Sequence, residues 1–127
     1  MKQRYLLDSH VFLWLDTLDH RLRAEHVQLL ADPENELYLS TASIWELSIK
    51  RSLRRLKYDK PFADAAKEKG IALLPVLAEH AEAVEGLPRH HNDPFDHMLI
   101  AQAKVEGLVL VTHYRILMEY EVPVLRV

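Results

Sequence analysis

The chain has 127 residues, 49% of them hydrophobic, enough to build the core of one compact domain over residues 1–127. Lys and Arg number 16 against 19 Asp and Glu, a formal charge of −3 with eight histidines left to titrate near neutrality. Bulk charge therefore excludes a protein that simply coats nucleic acid: such a role needs a local basic patch and a cation to offset the acids.

Residues 1–8 carry only a short apolar run ending in an acid, unlike a membrane span or a signal peptide, so a soluble protein is expected. Cysteine is absent, which excludes disulfides and thiolate metal sites and fits a reducing cytoplasm. Tyr5-Leu6-Leu7 reads as a buried strand stopping at Asp8, and residues 11–15 and 22–30 read as helical. Leu37-Tyr38-Leu39 predicts a second strand. Ser40, Thr41 and Ser43 then offer caps to a helix over 44–56, with Thr41 or Ser43 the expected N-cap. A further helix opens at Pro61 and ends at Gly70, followed by a strand over 72–74 and a helix over 78–85. Asp93 stands as an N-cap before Pro94 at the first helical position, and Gly107 supplies the stop, which makes this the best delimited helix in the chain. Residues 109–111 form an apolar strand, 116–120 a short helix, and 122–127 a last strand with Pro123 near its start. With three glycines, no repeat and no low-complexity tract, no linker divides the chain. Strands apolar on both faces and separated by helices predict a three-layer α/β sandwich around a central parallel sheet of about five strands.

Ligands of open parallel sheets bind beyond the carboxyl ends of the strands. Asp8 sits at such an end, and Glu46 lies in the first turns of the helix that follows the second strand. Asp93 and Asp96 open the late helix at a spacing that puts both on one face of its first turn. Four acids are thus expected in one cleft, where like charges this close hold either protons or cations. Hard oxygen donors without cysteine point to Mg²⁺ or Mn²⁺ rather than zinc. Such an ion lowers the pKa of a bound water and neutralises charge on a leaving oxygen, the requirements of phosphodiester hydrolysis.

Each acid also has a plainer reading: Asp8 and Asp93 as caps, Asp96 as a partner of the helix dipole, Glu46 as a solvated side chain. Lys50, Arg51, Arg54, Arg55 and Lys57 form a basic run suited either to RNA phosphates or to a solvated helix end. Arg89, His90 and His91 precede Asp93 and are better placed for a phosphate. No His pair shares a helical face with an acid at zinc spacing, and His97 is expected to face away from Asp96. Trp14 and Trp45 fit a core or an interface better than a base-stacking platform.

Three segments, YLLDSHVFLWL from Tyr5, SIWELSIK from Ser43 and HNDPFDHMLIAQA from His91, with VPVL at Val122, together resemble the PIN-domain family and within it the VapC toxins of toxin–antitoxin pairs. The resemblance implies a Mg²⁺- or Mn²⁺-dependent endoribonuclease, usually a homodimer, silenced by a VapB-like antitoxin. It carries the family's first acid onto Asp8, the second onto Glu46 and the acid of the late helix onto Asp96, with Asp93 an additional acid of the DPFD branch. Asp8, Glu46 and Asp96 are then the catalytic metal-binding set, Asp93 a direct or indirect helper, and Ser9, Thr112, Arg89 and His91 candidates for positioning substrate or water. One position departs from the pattern: after the strand at 109–111 the family has Thr, any residue, then Asp, where this chain has Thr112, His113 and Tyr114. A phenol with an ordinary pKa of about 10 is a poor Mg²⁺ ligand, which leaves open a weakened or inactive partner-binding module. A receiver-like phosphoacceptor is disfavoured, because Asp8 is followed by Ser9 rather than an acid and no lysine follows the last strand.

Overall fold

The computed structural model describes residues 2–127. Five strands, β1 (Arg4–Leu7), β2 (Glu36–Ser40), β3 (Ala72–Leu74), β4 (Val109–Thr112) and β5 (Val124–Arg126), form one sheet in the order β3-β2-β1-β4-β5, and every pair is parallel. The chain builds outward from β1 to β3, then returns to the other side of β1 with β4. The order therefore reverses between β1 and β4, the position where a parallel sheet leaves a crevice at its carboxyl edge.

Six helices cover the sheet: α1 (Ser9–Thr17), α2 (Ala24–Ala31), α3 (Thr41–Ser52), α4 (Phe62–Glu68), α5 (Ala78–Ala83) and α6 (Pro94–Glu106). The alternation of the pleat assigns the layers. Tyr5 and Leu7 pack with Leu37, Leu39 and Val111 against Phe12, Leu15, Leu30, Leu47, Phe62 and Ala65, all buried. Leu6 and Leu110 point the other way and pack against Leu99, Ile100 and Ala103 of α6, with Leu117 and Tyr120 closing that side. The expected three-layer α/β sandwich is the one formed, because apolar side chains on both faces of the strands need helices on both sides.

Helix termini follow local chemistry, with some differences from expectation. α6 begins and ends as its sequence predicts: Asp93 accepts from the Phe95 and Asp96 amides, Pro94 takes the first turn, and Gly107 stops the helix at φ 69°. α3 starts earlier than predicted, at Thr41, because Ser40, still part of β2, turns its hydroxyl to accept from the Ala42 amide at 3.0 Å. It also ends earlier: Leu53 leaves the helical region and Arg54 follows at φ 57°. The helix expected over 116–120 is a 3₁₀ turn, Arg115–Glu119, and the one expected over 78–85 closes in a 3₁₀ turn at Val84–Gly86. Among the described residues no helix is long and apolar enough to cross a membrane.

Candidate metal centre at the strand ends

Leu7 of β1 pairs with Val111 of β4, so the residues that follow, Asp8 and Thr112, emerge side by side at the switch point. Asp8 is buried, at 2% exposure, and two hydrogen bonds fix its carboxylate. Its Oδ1 accepts from the Val11 amide at 2.8 Å, capping α1, and its Oδ2 accepts from the Thr112 hydroxyl at 2.5 Å. Thr112 in turn accepts from the Tyr114 amide at 3.1 Å, which ties the turn after β4 to the same point. The capping role expected of Asp8 and its place in an acidic site are therefore one arrangement: the cap uses one oxygen and orients the other.

Glu46 enters from α3. Its Oε1 accepts from the Ser9 hydroxyl at 2.5 Å, and Lys50, one turn later, approaches Oε2 at 3.8 Å. Asp93 and Asp96 enter from the start of α6. Asp93 spends only Oδ1 on its two cap bonds. Asp96 Oδ2 meets His91 Nε2 at 3.2 Å. The four acids line one cavity of about 60 Å³ together with Ser9, His10, Lys50 and Tyr114.

Electrostatics shows how close they are. Burial raises the Asp96 carboxyl, and the charges of Asp93, Asp8 and Glu46 raise it further, to about 7. Asp8 is also raised, first by burial and then by Glu46, against the lowering effect of its bonds from Thr112 and Val11. The Lys50 ammonium opposes the shift of Asp96. A pocket with four carboxylates and a single lysine is short of positive charge, and in such a site protons and divalent cations compete for the same oxygens.

The donor set fits a hard divalent ion. All four acids offer oxygen, and the cavity has room for an ion that keeps part of its water shell, as Mg²⁺ does. Their ligand atoms are not drawn as tightly together as those of Glu79, His80 and Glu106, which among the described residues are the group whose ligand atoms all lie within 4.8 Å of one another. That second group is already satisfied without an ion. His80 Nδ1 accepts from the Leu77 amide at 3.0 Å, which leaves the ring proton on Nε2, where Glu106 receives it at 2.7 Å. Placing a metal on Nε2 would force that proton onto Nδ1, against the Leu77 N–H.

The remaining predicted residues divide. Ser9 and Thr112 hold acids. His91 reaches Asp96 and Tyr120. Arg89 is exposed and lies apart from the acids, in a neighbouring apolar groove of about 650 Å³ with Trp45 and Phe95. Of the basic run, Arg51 is structural: it donates to the Tyr58 and Lys60 carbonyls and lies over the Phe62 ring. Trp14 is buried, whereas Trp45 is 63% exposed and rests edge-on against Phe95. Two cavity residues lie outside the predicted ligand set. His10 receives no sequence signal beyond its place in the first turn after Asp8, and Tyr114 is signalled only as a missing acid. The Tyr114 hydroxyl meets His10 Nδ1 at 3.2 Å on the cavity wall.

A search among curated proteins gave no match. Solved structures do resemble the fold. A chain of the VapBC2 complex of Rickettsia felis bound to a promoter DNA fragment superposes with a TM-score of 0.73 at 14% identity, covering 98% of both chains. A chain of the DNA-bound VapBC complex of Salmonella typhimurium gives 0.64 at 16% identity, and one of VapBC-1 from nontypeable Haemophilus influenzae 0.61 at 17%, each again covering 98% of both chains. The PIN domain family model matches residues 5–115, from the first residue of the buried run in β1 to just past Tyr114, and the chain belongs to the PIN domain family.

Proposed function

We propose that this chain is a VapC-type toxin: a divalent-metal-dependent endoribonuclease, acting in the cytoplasm and silenced by a VapB-like antitoxin. The observation that carries the reading is that Asp8, Glu46, Asp93 and Asp96, from three separate segments, line one cavity at the sheet's switch point. PIN domains are generally nucleases, which agrees with that chemistry. A bound Mg²⁺ or Mn²⁺ would supply a more acidic water and neutralise charge on the departing oxygen of an RNA phosphodiester.

The protein's own contribution is orientation. Asp8, Glu46 and Asp96 are the direct ligands in this proposal, with Asp93 completing the set through the oxygen that its cap leaves free. Thr112 and the Val11 amide hold the Asp8 carboxylate, and Ser9 holds Glu46, so each acid presents a fixed lone pair before an ion arrives. Lys50 and Arg55 line a larger cavity of about 640 Å³ that opens beside the acids and gives the phosphodiester a cationic approach. Trp45 and Ile49 on α3, with Leu53 just past its end, form an exposed apolar stripe beside that opening, a surface suited to an antitoxin segment.

A catalytically weakened module is the second reading, favoured by Tyr114. Burial and then the neighbouring acids push its phenol pKa up, so the side chain stays protonated and provides no anionic ligand. Cleavage of RNA with Mg²⁺ separates the two. The enzyme reading predicts metal-dependent cleavage that EDTA stops and that Asp8→Asn lowers about 100-fold or more, since a lost ligand forfeits several kcal/mol of charge stabilisation. Absence of cleavage by the wild type at saturating Mg²⁺ and Mn²⁺ would leave the binding module.

A further inference from the structure

A chain of polar contacts leads from the acid cavity into the core on the α6 side of the sheet. His91 Nε2 meets Asp96 Oδ2 at 3.2 Å; on its other edge His91 Nδ1 meets the Tyr120 hydroxyl at 2.8 Å. The same hydroxyl meets His97 Nε2 at 3.2 Å. Tyr120 is 4% exposed and belongs to the cluster of Leu6, Leu99, Ile100 and Leu117, so its ring is held by packing independent of the acids. The His91 ring is wedged edge-on between His97 and Tyr120, with centroid distances of 4.9 and 5.5 Å.

Hydrogen-bond chemistry gives this chain a direction at its outer end once a cation sits in the cavity. A metal-bound Asp96 carboxylate only accepts, so His91 donates from Nε2, and its orientation is then set by what Nδ1 finds. Nδ1 finds a phenol that cannot move without disturbing the core. Among the described residues no other polar side chain holds the Asp96 carboxylate, whereas Asp8 has Thr112 and Glu46 has Ser9.

We propose that Tyr120, acting through His91, is the positioning residue for Asp96: the buried hydroxyl fixes the imidazole, and the imidazole fixes the carboxylate toward the cavity. This rests on the reading of Asp96 as a metal ligand and extends it to a residue more than twenty positions away, at the end of the 3₁₀ turn that follows β4. His97 holds the hydroxyl from the opposite side, so the histidine that follows Asp96 on α6 serves the same carboxylate indirectly.

The test measures Mn²⁺ affinity by electron paramagnetic resonance of the full chain without RNA, on wild type, Tyr120→Phe, His91→Leu and Asp96→Asn. Tyr120→Phe keeps the ring and loses only the hydroxyl; His91 is only partly buried, so His91→Leu leaves the core intact. Both variants are expected to weaken Mn²⁺ binding about tenfold at an unchanged fold by circular dichroism, the usual effect of removing a partner that orients a metal ligand. In the wild type with excess diamagnetic Mg²⁺, nitrogen-detected spectra of His91 are expected to show the proton on Nε2, and Tyr120→Phe to broaden or shift that signal. Mn²⁺ binding by Tyr120→Phe within twofold of wild type, while Asp96→Asn loses it, would overturn the positioning role and leave the metal site standing. Equal binding by wild type and Asp96→Asn would instead overturn the metal site on which it rests.

Discussion

At the scale of single residues, the site is a set of acids with unequal support. Asp8 is buried and doubly bonded, Glu46 is held by a hydroxyl and faced by a lysine, and Asp93 divides its two oxygens between a cap and the cavity. Tyr114 stands on the same wall with a hydroxyl turned to His10. Replacing it by aspartate, Tyr114→Asp, adds a carboxylate where the family pattern has one. The expected outcome is RNA cleavage faster by roughly tenfold at saturating Mg²⁺, about 1.4 kcal/mol of barrier, measured under single-turnover conditions. Equal rates would mean that Asp93 already does the work of the missing acid. The importance of Tyr114 was legible in the sequence, as a phenol after Val-Thr-His where a carboxylate was expected. Its contact with His10 was not, because the two are 104 positions apart and meet only through the register of β1 and β4.

At the scale of elements, the best-read parts were those whose signals are local. Asp93, Pro94 and Gly107 bracket α6 by backbone chemistry that needs no partner, and the structure uses each of them as expected. α3 was harder to place, since three hydroxyl residues cluster at its start and the one that caps it, Ser40 rather than Thr41 or Ser43, is also the last residue of a buried strand. Its apolar pattern left Trp45 open between core and interface. Trp45 and Ile49 lie four residues apart on the outer face, with Leu53 just past the helix end, while Ser43 and Leu47 turn inward, so Trp45 is exposed. The double duty of Asp93 can be separated by two substitutions that both remove its charge. Asp93→Ser retains a capping oxygen and Asp93→Ala does not, so urea denaturation is expected to place the alanine variant about 1 kcal/mol below the serine variant. Because both remove a carboxylate that completes the proposed ligand set, both are expected to bind Mn²⁺ more weakly than wild type; a serine variant with wild-type affinity would reduce Asp93 to a cap.

At the scale of the whole molecule, the alternation of short apolar runs with helical stretches was enough to predict five parallel strands in three layers. Acids at the strand ends were enough to suggest that they converge. The reversal of strand order between β1 and β4 was beyond local reading, and it is what brings Asp8 beside Thr112 and opens the crevice between them. The link from Asp96 through His91 to Tyr120 was equally hidden, because it depends on packing between the loop before α6 and the turn after β4. The convergence has a thermodynamic cost that pH and metal should expose. Asp96 ionises near 7 in the folded chain, against an ordinary value of about 4, so the native state binds its proton more tightly than the unfolded state does. Without metal, this group therefore makes folding less favourable as pH rises from about 4 to about 7, and relief comes as pH falls. A divalent cation takes the proton's place and is most effective where the carboxyl is ionised. The direct measurement is the thermal midpoint in EDTA and in excess Mg²⁺, at about pH 8 and about pH 5.5. The account predicts stabilisation by several degrees at the higher pH, corresponding to a few kcal/mol of ligand-linked stability, a clearly smaller effect at the lower pH, and none in Asp8→Asn. A midpoint indifferent to Mg²⁺ at both pH values, or the same rise in Asp8→Asn as in the wild type, would contradict it.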